Sequence, residues 1–219
     1  MFTWKTFLAL VATASMLALQ IVEAGAVTIT FDSETTGVKS QPYSVGGLTI
    51  SIVDFSPGPT PPSIAVIDFG PTGSGCEAGG KCLDSGSDSV LDGAFSFTLP
   101  GLFTHFSLDF GNDDPDNFAP GGLSAELIAF SGGVQVASSV LAANVNDLVD
   151  QTIAIDLAAG FDAVTFRYIS PSTGNPAALT KVVDNVVYEG ALPVPEPGTL
   201  VLMTSALALL VVRRRKLKH

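Results

Sequence analysis

The side chains in this sequence that could do chemistry are mainly carboxylates, and the densest group is Asp113, Asp114 and Asp116. They lie within residues 111–117, together with two asparagines, directly after an alternating, strand-like stretch. Calcium takes about six to eight oxygen ligands, and this segment could supply most of them. Its spacing differs from that of the EF-hand loop, however, and Asp, Asn, Gly and Pro are also ordinary β-turn residues. The segment is therefore a candidate calcium site, with a plain turn as the alternative.

A second candidate calcium site would form if the first and last strands of the central region were neighbours. Asp32 and Glu34 follow the first strand, and Asp184 lies in the last one. Pairing of these strands would bring Asp32 or Glu34 close to Asp184, and calcium prefers carboxylate oxygens. The alternative is that each acid only caps a turn at the end of its strand.

Catalytic residues are scarce between the two apolar ends of the chain, where His105 is the only histidine. A Ser-His-Asp relay would have to use it, yet the sequence has no nucleophile-elbow motif. Paired carboxylates of a glycosidase could be identified only from their separation in space. We therefore predict that the protein is not an enzyme and that His105 lies on the outer face of a strand without a role.

The two cysteines, Cys76 and Cys82, are separated by five residues in a glycine-containing stretch. In an oxidising compartment, such a pair usually closes into a disulfide. A loop this short contributes about 2 kcal/mol in the chain-entropy model. We expect the disulfide to fix a local turn without holding the fold, and we do not expect a metal site because further soft ligands are lacking.

The C-terminal residues have three parts in a fixed order. Pro195 and Pro197 flank Glu196, which predicts an extended, accessible segment. Residues 199–212 are uncharged and apolar, and residues 213–219 contain five basic side chains. A helix over 199–212 is about 21 Å long, shorter than a bilayer core of about 30 Å, but basic side chains can snorkel and a bilayer can thin. The flanks favour a transmembrane helix with a cytoplasmic basic tail over a buried core helix.

This order of parts resembles the PEP-CTERM sorting signal of Gram-negative bacteria. The resemblance implies recognition by an exosortase, a membrane-embedded cysteine transpeptidase-like enzyme. Cleavage near Pro195, Glu196 and Pro197 would release the ectodomain of a membrane-anchored precursor to the cell surface or an extracellular polysaccharide matrix. These three residues would then be substrate residues without catalysis of their own. A tail anchor that is never cut is the alternative.

The N-terminus is typical of a secretory signal peptide, with Lys5, an apolar stretch over residues 7–19 and the cleavage pattern Ala24-Gly25-Ala26. We expect cleavage after Ala26 or two residues earlier; an uncleaved anchor is disfavoured because no basic or polar stop follows. The predicted organisation is a signal peptide (1–26), an ectodomain (27–192), a sorting linker (193–198), a transmembrane segment (199–212) and a basic tail (213–219).

The predicted ectodomain is strongly acidic, with 4 basic and 19 acidic residues and a net charge of −15. Such a surface repels nucleic acid and anionic bilayers, so neither is an expected partner of this region. Divalent cations and cationic partners are compatible with it. Trp4 is the only tryptophan and lies in the signal peptide, so the ectodomain has none to stack on sugars.

Apolar and polar residues alternate through most of the ectodomain, which predicts about ten short β-strands. Phe95, Phe97 and Leu99 alternate before Pro100-Gly101, which should end that strand. In residues 102–110 one predicted face consists of Leu102, Thr104, Phe106, Leu108 and Phe110, and the other consists of Phe103, His105, Ser107 and Asp109. Gly132-Gly133 predicts a hairpin, residues 71–92 a long loop, and residues 158–161 a tight connection between two strands. The pattern predicts an all-β fold, a single antiparallel β-sandwich with phenylalanines between its sheets.

The closing strand Val182-Val183-Asp184-Asn185-Val186-Val187-Tyr188 resembles the last strand of many PEP-CTERM ectodomains and of jelly-roll carbohydrate-binding-like modules. Ile29-Thr30-Phe31-Asp32 resembles their first strand. The resemblance implies a jelly-roll-like sandwich whose first and last strands pair. We expect an exported cell-surface or extracellular-matrix protein with a structural or adhesive role in biofilm or exopolysaccharide. A polysaccharide-binding module is the alternative, and a secreted hydrolase the third hypothesis.

Overall fold

The computed structural model describes residues 25–53, 63–68, 76, 80–85, 93–111, 122–144, 148–177 and 180–190. These residues form eleven strands, all paired antiparallel, and contain no helix, which confirms the predicted all-β fold. The strands are β1 (Val27–Ile29), β2 (Gly37–Lys39), β3 (Tyr43–Val45), β4 (Leu48–Val53), β5 (Ile64–Asp68), β6 (Lys81–Asp84), β7 (Ala94–Gly111), β8 (Ser124–Ser131), β9 (Val134–Ala142), β10 (Gln151–Ile169) and β11 (Val182–Glu189).

The predicted signal and transmembrane helices lie outside the described residues. Within those residues, the structure contains no helix long and apolar enough to cross a membrane.

Two long strands, β7 and β10, run through both layers of the sandwich. The first half of β7 pairs with β4 and with the second half of β10, where Phe95 lies opposite Phe166. The second half of β7 pairs with β11 and with the first half of β10, where Phe106 lies opposite Ile155. The pairing register of β7 and β10 shifts between these halves, close to Gly160 with its φ of 78°.

One continuous sheet therefore folds over itself into two layers. The first layer has the order β3-β4-β7-β10-β8-β9, and the second has the order β2-β5-β6-β11-β7-β10 with β1 also paired to β11. The pairing of β1 with β11 confirms the expectation that the first and last strands are neighbours.

Aromatic rings from both layers meet in the core. Phe97 of the first layer lies 5.3 Å from Phe106 of the second, measured between ring centroids, and Phe110 lies 5.5 Å from Phe166 in the same way. All four rings are buried. Offset and tilted pairs of this kind add stabilisation to that of apolar burial. The rings lie within Ala24–Leu192, which forms one compact unit.

Three details differ from the sequence-based expectation. Residues 158–161 do not connect two separate strands, because β10 continues through them from one layer into the other. Pro100-Gly101 likewise lies inside β7 and does not end a strand. The stretch expected to be a long loop, residues 71–92, contains strand β6, which pairs with both β5 and β11.

The hairpin at Gly132-Gly133 is confirmed. Both glycines have positive φ, 57° and 79°, and they join β8 directly to β9. This backbone conformation strongly favours glycine, which explains why the sequence signal was reliable.

Candidate functional site

A row of polar side chains lies on the outer face of the second layer, along the second half of β7. Phe106, Leu108 and Phe110 point into the core, so the residues between them must point outward. His105, Ser107 and Asp109 therefore share the outer face, as the alternation predicted. The prediction that Phe103 lies on the same face is wrong: Phe103 is buried in the core, next to the register shifts between β7 and β10. We call these three residues the polar row.

His105 is held by two neighbours in the polar row region. Its Nδ1 atom lies 2.7 Å from Oδ1 of Asp156, the residue directly opposite it on β10. Its Nε2 atom lies 3.3 Å from the Ser107 hydroxyl oxygen. With the proton on Nδ1, the ring donates to Asp156 and accepts from Ser107. The expectation that His105 has no role is corrected to this extent: the side chain is a fixed member of a hydrogen-bonded group.

These residue types are those of a catalytic relay, but the backbone around them differs from that of a hydrolase. Ser107 is only 8% exposed and lies in the middle of a strand. In α/β-hydrolases the nucleophile is presented on a sharp strand-to-helix turn, and the described residues contain no helix. The contacts around His105 therefore fix its ring and give no positive indication of catalysis.

Asp109 links three strands at the other end of the polar row. Its Oδ1 accepts a hydrogen bond of 2.5 Å from the Thr152 hydroxyl on β10, and its Oδ2 accepts one of 2.9 Å from the Asn185 side-chain amide on β11. Asp184 lies directly opposite Asp109 across the β7–β11 ladder, so both carboxylates occupy the same face.

A bulge in β11 lies immediately after Asp184. The register between β11 and β7 shifts between Asp184 and Val187, and Asn185 has a φ of 45°. Asparagine tolerates the left-handed region better than most residues other than glycine. Asn185 is the extra residue of this bulge. It lets Asp184 and Val187 both face outward, and its side-chain amide donates to Asp109. The Asp-Asn pair in the closing strand therefore has a local structural role.

Asp184 is a buried carboxylate with an incomplete set of hydrogen-bond partners. It is 5% exposed, and within the described part of the chain its Oδ1 atom has no partner. Burial raises the pKa of Asp184 to about 6, the backbone N–H groups of Asn185 and Phe31 oppose this shift, and the charges of Asp32 and Asp109 add to it. The structure thus brings Asp32 and Asp184 within electrostatic reach, as the second calcium hypothesis requires.

The donor set around these aspartates does not form a ready calcium site. The Lys81 ammonium donates to the backbone carbonyls of Asp32 and Glu34 at 2.9 and 2.8 Å, so a protein cation already lies beside this loop. The Lys81 N–H also donates to Oδ1 of Asp32. Among the described residues, no three His, Cys, Asp or Glu side chains are grouped so that they could hold a metal ion. Calcium at Asp32 and Asp184 stays a prediction.

The predicted disulfide between Cys76 and Cys82 is present. Cys82 lies in β6, and both cysteines pack with Val149 and Val182 in a small buried cluster separate from the main core. The disulfide therefore attaches its loop to the second layer of the sandwich as well as closing a turn.

Several predicted site residues lie outside the described part of the chain. They are the calcium candidates Asp113, Asp114 and Asp116 and the sorting residues Pro195, Glu196 and Pro197.

Four residues at the site were not singled out from the sequence: Asp109, Thr152, Asp156 and Lys81. The alternation placed Asp109 on the correct face, but its partners come from strands distant in sequence. Only the register of those strands reveals them.

Comparison with solved structures finds low similarity. The adhesin domain in "Crystal Structure Analysis of the K2 Cleaved Adhesin Domain of Lys-gingipain" is 15% identical, with 76% of this chain and 100% of that chain covered and a TM-score of 0.47. A DUF4465 family protein from Bacteroides caccae is 12% identical, with 76% and 100% covered and a TM-score of 0.41. The CBM51-2 and INT domains of Clostridium perfringens ZmpB are 11% identical, with 76% and 44% covered and a TM-score of 0.36.

No curated protein matches the chain. Residues 193–216, in contrast, match the model of the PEP-CTERM protein-sorting motif. The match includes Pro195, Glu196 and Pro197 and extends into the basic cluster. The chain therefore carries a PEP-CTERM sorting motif behind an all-β domain and is an exported protein sorted to the cell envelope.

Proposed function

We propose that this protein is a non-enzymatic structural or adhesive component of biofilm or exopolysaccharide, processed by an exosortase and delivered to the surface of a Gram-negative bacterium. The observation that carries the proposal is the sorting motif at residues 193–216, which begins directly after the predicted ectodomain. A signal peptide over residues 1–26 would start export, and the apolar segment 199–212 would hold the precursor in the membrane until cleavage.

The character of the domain supports a role in an aqueous matrix outside the cell. Its net charge of −15 keeps it soluble and away from anionic surfaces. Its outward polar groups are largely bonded to one another, as in His105 with Asp156 and Asp109 with Asn185, which favours a rigid scaffold over a reactive site.

The experiment is intact-mass measurement of the protein recovered from its native host, with two matched variants. We expect the wild type to lack its first 24 to 26 residues and everything beyond the Pro195 region. Glu196→Ala should keep its C-terminal tail and accumulate in the membrane fraction. Glu189→Ala removes the same charge from an exposed position at the end of β11 and should be processed like the wild type. A wild type that retains its full tail in the membrane would refute exosortase processing and favour a permanent anchor.

A second candidate function is polysaccharide binding, favoured by the polar row together with its β10 neighbours Thr152 and Asp156. His105, Asp156 and Thr152 place hydrogen-bonding groups side by side on an outer sheet face, which suits sugar hydroxyls. Tyr168 and Tyr188 are buried, so binding there would depend on hydrogen bonds and not on stacking by these rings.

Glycan-array binding separates the two candidates. If the polar row binds polysaccharide, Asp156→Ala and His105→Ala should each lower binding, while Asp68→Ala, which removes an exposed acid from β5, should not. Binding that is equal in all three variants would rule out the polar row as the binding face, and absence of binding by the wild type would leave the scaffold role.

A further inference from the structure

Strand β9 is a long, uncharged edge strand. It runs from Val134 to Ala142 with the sequence VQVASSVLA, without a charged residue or a proline. Within the described part of the chain it pairs only with β8, so its other side presents backbone groups to a partner, except at its last residue, where the Ala142 carbonyl accepts from the Gln151 side chain. Val134, Val136 and Val140 are 66%, 42% and 56% exposed.

Three of the other strands at the ends of the layers are protected in ways that β9 is not, and the remaining edge, the first half of β10, ends in the exposed carboxylate of Asp156. Among the described residues, β1, β2 and β3 are each three residues long, and β2 also carries Lys39. Short length and lysine are the usual devices that prevent edge-to-edge association of sheets. The register shift at the start of β9 is its one such device, and Ala137–Ala142 beyond it pair with β8 without interruption.

The middle of β9 is close to electrically neutral in an otherwise acidic domain, although acids lie near both of its ends, where Asp162 accepts from the Gly132 N–H and Asp150 accepts from the Asn144 side-chain amide. Glu126, the charged residue opposite Val140 on β8, forms an ion pair of 2.6 Å with Arg167 of β10. Two copies of a domain with a charge of −15 repel each other over most of their surface. We expect this repulsion to be weakest along β9, which has no charged residue. A cationic partner would find no carboxylate on this strand to bind.

The strand is also nearly self-complementary. If two copies pair antiparallel about a two-fold axis at Ser138, Val136 of each copy lies opposite Val140 of the other. The small side chains of Ser138 and Ser139 are at the centre, where they allow close approach. A two-fold pairing of this kind is the commonest arrangement in homodimers.

We propose that β9 is a self-association edge that adds the β9 strand of a second copy of this chain, extending the first layer of the sandwich across two molecules. The occupant is a second copy because the edge is uncharged, nearly self-complementary and set in a neutral part of an acidic surface. The pairing is independent of the proposed matrix role, since it would form in any compartment where the folded chain is concentrated.

The test is cysteine cross-linking of the full-length chain in detergent, with a short bismaleimide. Ser138→Cys places one thiol at the two-fold axis, where the thiols of two copies would meet, while Cys76 and Cys82 are already oxidised. The matched control is Val38→Cys, which is also an exposed position, on the edge strand β2. We expect a covalent dimer with Ser138→Cys and none with Val38→Cys.

A second variant tests the contact itself. Adding Val140→Lys to Ser138→Cys should lower the yield of dimer about tenfold, because the two-fold axis repeats the substitution and places a lysine opposite Val136 at both ends of the contact. Val38→Lys is its control and should leave the yield unchanged. Added salt should raise the yield, since it screens repulsion between acidic copies.

Each other outcome overturns the proposal. Equal cross-linking at positions 38 and 138 would indicate association through the C-terminal tail. A dimer that persists with Val140→Lys, or no dimer with Ser138→Cys, would exclude pairing through β9. Melting curves of the four variants show whether each one is folded.

Discussion

The Asp109 and Asp184 carboxylates lie directly opposite each other on neighbouring antiparallel strands, on the same face of the sheet. Like charges at facing positions destabilise a sheet. Asp109 is bonded on both oxygens, to Thr152 and Asn185, whereas Asp184 is buried with a raised pKa. Repulsion between the two carboxylates therefore destabilises mainly the ionised form of Asp184.

This relationship predicts that Asp184 makes stability depend on pH in the acid range. Its folded pKa of about 6 exceeds its ordinary value of 3.8, so ionisation favours the unfolded chain. The contribution of Asp184 should be lost as pH rises from about 4 to about 6, by up to about 3 kcal/mol at about 1.4 kcal/mol per pKa unit. Asp184→Asn should therefore be more stable than the wild type at pH 7 and similar to it at pH 4.

Urea unfolding of the two proteins at several pH values, with a chelator present, gives this comparison. The difference in the free energy of unfolding between the two proteins reports on Asp184 alone, because all the other carboxylates are common to both. A difference that does not change with pH would show that Asp184 has an ordinary pKa in the folded protein.

Calcium gives a second prediction. Because Lys81 already lies beside Asp32, and the described residues contain no group of three possible ligands around Asp184, our prediction is that calcium acts through Asp113 and Asp116. Added calcium should raise the melting temperature of the wild type, and the double variant Asp113→Asn with Asp116→Asn should lose this shift.

Magnesium is the control ion, since it holds its water more tightly and demands a stricter geometry. A calcium shift that survives in the double variant and disappears in Asp184→Asn would place the metal between β1 and β11 and contradict our assignment.

The disulfide gives a third prediction. Cys76→Ser with Cys82→Ser should lower the free energy of unfolding by about 2 kcal/mol, because the closed loop is short. Urea unfolding measures the loss, and the reduced wild type should show the same value. Failure of the double variant to fold would mean that the cluster with Val149 and Val182 depends on the disulfide.

The aromatic core gives a fourth prediction. Phe97→Ala removes a fully buried ring that contacts Phe106 across the two layers and should cost about 3–5 kcal/mol. Phe130→Ala, the same change at a half-buried position in β8, should cost clearly less. Equal losses in chemical denaturation would show that the interlayer contact adds nothing to the stability of the fold.

The sequence predicted strand content well because alternation reports a buried face directly. Phe95, Phe97 and Leu99 were placed on one side of a strand, and all three are buried. Strand β6 was missed because only four residues, Lys81–Asp84, separate glycine- and serine-containing segments. Likewise, Gly160 interrupts the pattern of β10 although the strand continues, since a bend between layers and a turn use similar residues.

The site was harder to predict than the fold. His105 and Asp156 are 51 positions apart, and Asp109 and Asp184 are farther still. Their meeting depends on strand order and register, which a single sequence does not specify for distant strands. Asp184 and Asn185 were singled out through a family resemblance. The bulge at Asn185, where φ is 45°, could not be predicted from the sequence, although it sets the orientation of both side chains.

The antiparallel pairing of β1 with β11, with Val27 opposite Tyr188, has a mechanical consequence. The chain enters and leaves the domain at adjacent points, so a load applied after Glu189 pulls on a strand bonded to β1, β6 and β7 at once. Extraction of β11 requires hydrogen bonds on both of its sides to shear together. A domain anchored after Glu189 should therefore resist the force of flowing liquid until all the hydrogen bonds of β11 break together.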